Sequence, residues 1–293
     1  MQMALVDMQR RVQGRVPLPW IQADSEWVVA QQRAGRPLVR FRDIPLEWSD
    51  FRLTFRQTAD ILHRFEALEA PHYKAIVAMG RDGNALEPIV TRWYEATSGV
   101  DGTVHAREQT DASLPAGLDH VLVLALRPFL MRCAEGLGQR IDFSLWCRGH
   151  CPFCGWEPDF AVITPNADRR LICGRCLGAW AFAPLTCPFC ANDDRTLVTS
   201  FATRDGRYRV YACDVCRRYL KAYDSRSATR PVHYQRYPLV CCRFCQSSFS
   251  ALSSEMRGDR WRWPLGWRRL SPASGLPSHR SVSASELIRP HSV

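Results

Sequence analysis

No stretch of this 293-residue chain is apolar for the ~20 positions that a helix needs to cross a bilayer, since the run Val121 to Leu126 is stopped by Arg127. Residues Met1 to Trp20 also lack the apolar centre of a secretory signal. Both absences lead to the expectation of a cytoplasmic protein, a reducing setting in which the 13 cysteines do not read as disulfides. An evenly spread positive charge is missing too. The net charge is +10, but residues 233–293 carry nine Arg, no Lys and three acids (Glu255, Asp259, Glu286), which leaves +4 for residues 1–232. Eight thiolates around two divalent ions would add about −4 and bring that remainder near zero, so overall charge does not favour a nucleic-acid binder. What remains is a chain that is 46% hydrophobic and 11% aromatic, enough for a real core.

Its organising feature is a set of four C-x-x-C pairs in 66 residues: Cys151/Cys154, Cys173/Cys176, Cys187/Cys190 and Cys213/Cys216. Two thiolates on one tight turn can hold one ion, and a second such turn completes a tetrahedron of soft sulfur ligands. Eight thiols so placed predict two metal sites. Cys151-Pro152-Phe153-Cys154-Gly155 has a proline that fixes one backbone angle and a glycine free to take positive φ, and Cys187-Pro188-Phe189-Cys190 repeats the turn with Asn192 as its turn-tolerant residue. Between the pairs lie β-type runs, Phe160 to Thr164 and Arg170 to Cys173, then Leu197 to Ala202 and Tyr208 to Ala212. Turn residues break each pair of runs, at Asn166 to Asp168 and at Asp205-Gly206. The pattern predicts two duplicated zinc-ribbon or rubredoxin-like hairpins.

Sequential sharing of the ions, first pair with second and third with fourth, suits two ribbons, and an interleaved arrangement joining first with third stays open. A redox dithiol would need a single C-x-x-C at a helix start in a βαβ pattern, which four pairs on hairpins do not supply. Four thiolates also close the coordination shell that a Lewis-acid enzyme must keep open, so no enzymatic activity is expected. Cys147 and His150 flank the first pair and are read as structural, as is Cys133 on an apolar helix face. The aromatics Trp180, Phe182 and Tyr208 read as ribbon core; stacking on bases is the competing use. Cys242 and Cys245, preceded by Cys241, form a fifth pair that has no partner.

Residues 1–45 show no element. From Ser49 a helical stripe of Phe51, Phe55, Ile61, Leu62, Phe65 and Leu68 appears. Asn84 to Thr97 follows as a helix with Asn84 as its N-cap, then a polar loop over 101–115, then a helix over about Leu118 to Leu137 with Pro128 as a kink. The fold class is therefore α+β. An unpatterned segment over 1–45 and a helical domain over 46–146 precede two tandem four-cysteine modules over 147–184 and 185–232. An irregular tail over 233–293 ends the chain, with a composition that suits disorder or translation from a shifted reading frame.

Several runs in the centre of the chain resemble the formate dehydrogenase accessory protein (FdhE) family. They are Pro128-Phe129-Leu130, Trp146, Gly149, Cys151 to Pro158, Cys173-Gly174-Arg175-Cys176 with Trp180, Cys187 to Cys190, and Cys213 to Cys216 with Tyr219-Leu220-Lys221. The resemblance covers residues 118–232, and the tail departs from it. It implies a cytoplasmic assembly factor that binds the formate dehydrogenase catalytic subunit, with a helical half joined to two rubredoxin-like modules. Iron is the metal it implies for the eight cysteines, with zinc as the alternative. A rubredoxin-like electron carrier and a zinc-ribbon nucleic-acid binder are the alternative functions.

Overall fold

The computed structural model describes residues 1–99 and 114–226, and the backbone of one strand at Trp267–Leu270. Residues 1–45, where no element is expected, contain two helices. α1 (Gln2–Gln13) buries Leu5, Met8 and Val12, a narrow stripe interrupted by arginines and glutamines. α2 (Ser25–Ala34) is bounded by two capping devices: the Asp24 carboxylate accepts the Trp27 N–H at 2.7 Å, and Gly35 closes the helix in the left-handed region at φ +69.

α3 (Trp48–Arg64) turns Phe51, Phe55, Ala59 and Leu62 into the core. Phe65, expected on that stripe, instead lies past the helix end as its C-cap and is 46% exposed. α4 (Ala70–Met79), not expected from the sequence, follows with a proline in its first turn. α5 (Gly83–Thr97) is capped by Asp82 and not by Asn84: the Asp82 carboxylate accepts the N–H groups of Asn84 (3.1 Å) and Ala85 (3.2 Å). α6 (Leu118–Gly138) is one helical span that includes Pro128 and is buried along most of its length, Cys133 included. It packs against α1 and α3, with Phe129 edge-on to Phe51 at 6.1 Å between ring centres.

The strands are β1 (Pro158–Ile163), β2 (Arg169–Cys173), β3 (Ala179–Ala181), β4 (Val198–Thr203), β5 (Tyr208–Cys213), β6 (Tyr219–Asp224) and β7 (Trp267–Leu270). They form one sheet in the order β3-β2-β1-β6-β5-β4-β7. The fold is thus N-terminal helices followed by a sheet that carries both four-cysteine groups. The two hairpins expected from the alternating runs are β1–β2 and β4–β5, both antiparallel. β3 and β6 each add a third strand to one hairpin, so the two ribbons have the same internal order. They join edge to edge through a parallel pairing of β1 with β6, Phe160 opposite Lys221 through Ile163 opposite Asp224. The join is reinforced by a fork-to-fork ion pair, Arg218 to Glu157, with both N···O distances 2.6 Å.

β7 lies antiparallel to β4, where an irregular tail is expected; four residues are too short a run to show a period. The rest of 233–293 lies outside the described residues, and with it Cys241, Cys242, Cys245 and the shifted-frame reading. The loop at 101–113 does too.

Candidate metal centres

The eight cysteines gather into two groups, and the pairing is sequential. Cys151, Cys154, Cys173 and Cys176 form centre 1; Cys187, Cys190, Cys213 and Cys216 form centre 2. Within each group the sulfurs lie within 4.8 Å of one another. In centre 1 the Cys151–Cys176 and Cys154–Cys173 separations are 3.5 Å; in centre 2 the Cys187–Cys216 and Cys190–Cys213 separations are 3.7 Å. A tetrahedron built on metal–sulfur bonds of about 2.3 Å has edges of about 3.8 Å, so the donor set and its spacing fit a four-thiolate ion. The ten cysteines among the described residues are all free of disulfides.

Each group forms because two tight turns face one another across a hairpin. The residue after the second cysteine of every pair sits in the left-handed region: Gly155 (φ +77), Leu177 (+57), Ala191 (+58) and Arg217 (+57). The turn demands that conformation whichever residue occupies it, and in the third pair it falls on Ala191 and not on Asn192. The turns close with Gly155 N–H on Cys151 O and Ala191 N–H on Cys187 O, both 2.9 Å. Backbone amides then point at sulfur: Cys173 Sγ accepts from Arg175 (3.3 Å) and Cys176 (3.4 Å), and Cys176 Sγ from Gly178 (3.4 Å). At centre 2 the backbone amides of Phe189 and Cys190 pull the Cys187 thiol down against its burial, as Asn192 does for Cys190 and Arg218 for Cys216. Such contacts favour thiolate over thiol.

Gly155 is also a point of close approach, since a Cβ there would stand 1.8 Å from Ser98 O at the end of α5. Gly155→Ala is therefore expected to cost about 2–3 kcal/mol, combining the left-handed penalty with a backbone clash. Ala191→Gly, at the matching position of the third pair, should gain a few tenths to about 1 kcal/mol. Urea denaturation of the metal-loaded variants checks both, and equal and small effects at the two positions would contradict the clash.

Centre 1 is locked to the helical half from several sides. Leu38 and Val39 donate backbone N–H to Pro152 O (2.9 Å) and Phe153 O (2.8 Å). Arg127 of α6 donates to Gly174 O at 2.6 Å. His150 contacts Gly35 O at 3.0 Å, which accounts for it without a place among the ligands, and Cys147 is exposed. Trp180 is buried and donates its indole N–H to Arg148 O at 3.1 Å, so it fills the core as expected.

The residue that sequence reasoning missed is Arg175, inside the second pair. It is fully buried; its guanidinium donates to Thr97 Oγ1 (2.9 Å), Ser98 Oγ (3.3 Å) and, closely, to Cys154 O. The aromatic faces of Tyr94, Trp156 and Trp93 lie 4.5, 4.9 and 5.5 Å from it. No carboxylate is among these contacts. Burial alone works against its charge, and the thiolates of Cys154 and Cys173 with Tyr94 more than compensate, holding its pKa above the ordinary arginine range. In return, although burial opposes ionisation of Cys154, the neighbouring thiols and Arg175 hold its pKa well below the usual range. Burial pushes Cys151 and Cys176 up, as expected of thiols that shed their protons only to a metal. A buried cation without a carboxylate thus has the sulfur group as its counter-charge. Nothing in the sequence marks it, because an arginine inside a C-x-x-C turn reads as a solvated charge.

No family model matches the chain. Over 110 residues it is 27% identical to the protein FdhE homolog of Aquifex aeolicus (strain VF5), a match covering 36% of this chain and 38% of that relative's length. The crystal structure of the FdhE protein from Pseudomonas aeruginosa superposes with a TM-score of 0.51 at 20% identity, covering 84% of this chain and 81% of that one. In sequence over part of its length and in fold over most of it, the chain is therefore similar to FdhE proteins.

Proposed function

We propose that this protein is a cytoplasmic accessory factor for formate dehydrogenase, which holds the catalytic subunit during maturation and performs no chemistry of its own. The observation that carries the reading is the pair of four-cysteine groups on one sheet fused to a helical half, in a chain similar to FdhE proteins both in sequence and in fold. Each group would hold one ion, through Cys151, Cys154, Cys173 and Cys176 and through Cys187, Cys190, Cys213 and Cys216. Iron is the ion the FdhE resemblance suggests, and zinc the alternative. With four thiolates each, these sites offer no open position for substrate, which supports a scaffold in preference to a catalyst. In this reading residues 46–146 form the helical domain, and 147–184 and 185–232 are the two metal-binding units.

An anaerobic pull-down of the formate dehydrogenase catalytic subunit tests the proposal. The intact chain should retain the subunit, and a variant with Cys173→Ser and Cys176→Ser should not. An intact chain carrying two ions that fails to retain the subunit would overturn the assignment of partner.

A further inference from the structure

The two centres share sequence pattern, pairing and backbone turns, yet they differ in access. All four sulfur residues of centre 1 are buried, at 0–1% exposure, and they belong to the main hydrophobic core together with Phe129, Leu130 and Trp180. Arg175, Arg127 and the segment Leu38–Val39, through its backbone N–H groups, close over it. In centre 2 only Cys187 and Cys213 are buried; Cys190 is exposed and Cys216 half-buried. Val215 beside Cys216 is 55% exposed, and Leu197, which accepts the Asp214 N–H, is 39% exposed. One side of the second tetrahedron therefore faces outward.

Resting on the reading that both groups hold ions, we propose that centre 2 is an exchange centre. An external thiolate reaches the ion beside Cys190 and Cys216 and takes it from, or delivers it to, the protein, while centre 1 keeps its ion. The step is a ligand substitution. The incoming sulfur bonds to the ion as the Cys190 sulfur leaves; the proton lost by the external thiol ends on Cys190, and no electrons change hands. Cys216 is the next to be replaced, and the buried Cys187 and Cys213 are the last. The ligand class is a soft sulfur donor, either a small thiol or a cysteine of a bound protein. At centre 1 the same substitution requires α5 and the segment around Leu38 to move away first. Release there is gated by local unfolding and should be slower by on the order of a hundredfold or more.

The full-length chain loaded with two equivalents of zinc as the test ion, mixed with excess glutathione and a colorimetric zinc indicator, distinguishes the centres. The expected result is two phases of one ion each, the fast rate rising in proportion to glutathione and the slow rate independent of it. Mass spectrometry of the loaded chain during maleimide labelling should show Cys190 modified first and Cys216 second, with the four centre 1 cysteines protected. One shared release rate, or labelling of centre 1 cysteines in step with Cys190, overturns the exchange role and leaves two metal centres standing. Uptake of fewer than two ions overturns both. Replacing glutathione by a cysteine-containing peptide separates the two sources: equal rates favour a small thiol, and a faster rate with the peptide favours a protein donor.

Discussion

Stripping the proposed ions from both four-cysteine groups with a strong chelator is expected to unfold residues 147–224 and to loosen the helical half as well. A structural four-ligand zinc site contributes about 10–16 kcal/mol of apparent binding energy to folding. A domain's whole stability is of the order of 5–15 kcal/mol, so neither ribbon survives that loss. Each ribbon has three short strands, and much of its interior is made of the cysteines themselves. Because Cys151, Cys154, Cys173 and Cys176 sit in the same core as Phe129, Leu130 and Leu38, the damage extends into the helices. Without the ion those thiols become four packed polar groups with too few partners. Hydrogen exchange read by mass spectrometry should show lost protection over β1–β6, the end of α5 and residues 38–39, with α3 least affected. Retained protection in β1–β2 after chelation would show that the hairpin stands without its metal.

Arg175→Met should be the most damaging single substitution away from the cysteines, at about 3–5 kcal/mol, the usual cost of leaving one partner of a buried charge pair alone. Methionine fills much of the volume. It supplies no donors for Thr97 Oγ1, Ser98 Oγ and the Cys154 carbonyl, and it leaves the sulfur group without its counter-charge. Arg175→Lys keeps the charge and loses the planar fork, so an intermediate cost is expected. Urea titration of the loaded proteins, followed by tryptophan emission from Trp93 and Trp156 beside the guanidinium, reads both effects. A methionine variant within about 1 kcal/mol of the parent would refute the counter-ion role.

The sequence made the chemistry more legible than the packing. Cysteine spacing located both sulfur groups, and the alternating runs with Asp205-Gly206 between them located the second hairpin, because both signals are local. Local signals could not choose between sequential and interleaved pairing. That choice is made by β2 returning alongside β1, and β5 alongside β4, which brings each second pair back to its own first. α1 and α2 were missed although Asp24 and Gly35 are ordinary capping signals, since arginine and glutamine fill the positions between their few apolar residues. Phe65 was wrongly placed on the α3 stripe because periodicity does not show where a helix stops. The Arg175 role was invisible for a different reason. Its partners come from positions 93–98 and 154–156, so only the folded chain brings them together.

The parallel pairing of β1 with β6 also has a consequence for the order of synthesis. β1 ends at Ile163 and its partner begins only at Tyr219, and between them the chain lays down the other two strands of the first ribbon and the first two of the second. A ribosome adding roughly 5–20 residues per second needs about 3–11 s to make that intervening segment. Throughout that interval one edge of β1 presents unpaired backbone donors and acceptors to whatever lies nearby. Nascent chains on one messenger could pair there with each other, and a chain cut short before Asp224 would never bury the edge. The two ribbons are thus welded at the middle of their sheet, by the last of their six strands to leave the ribosome.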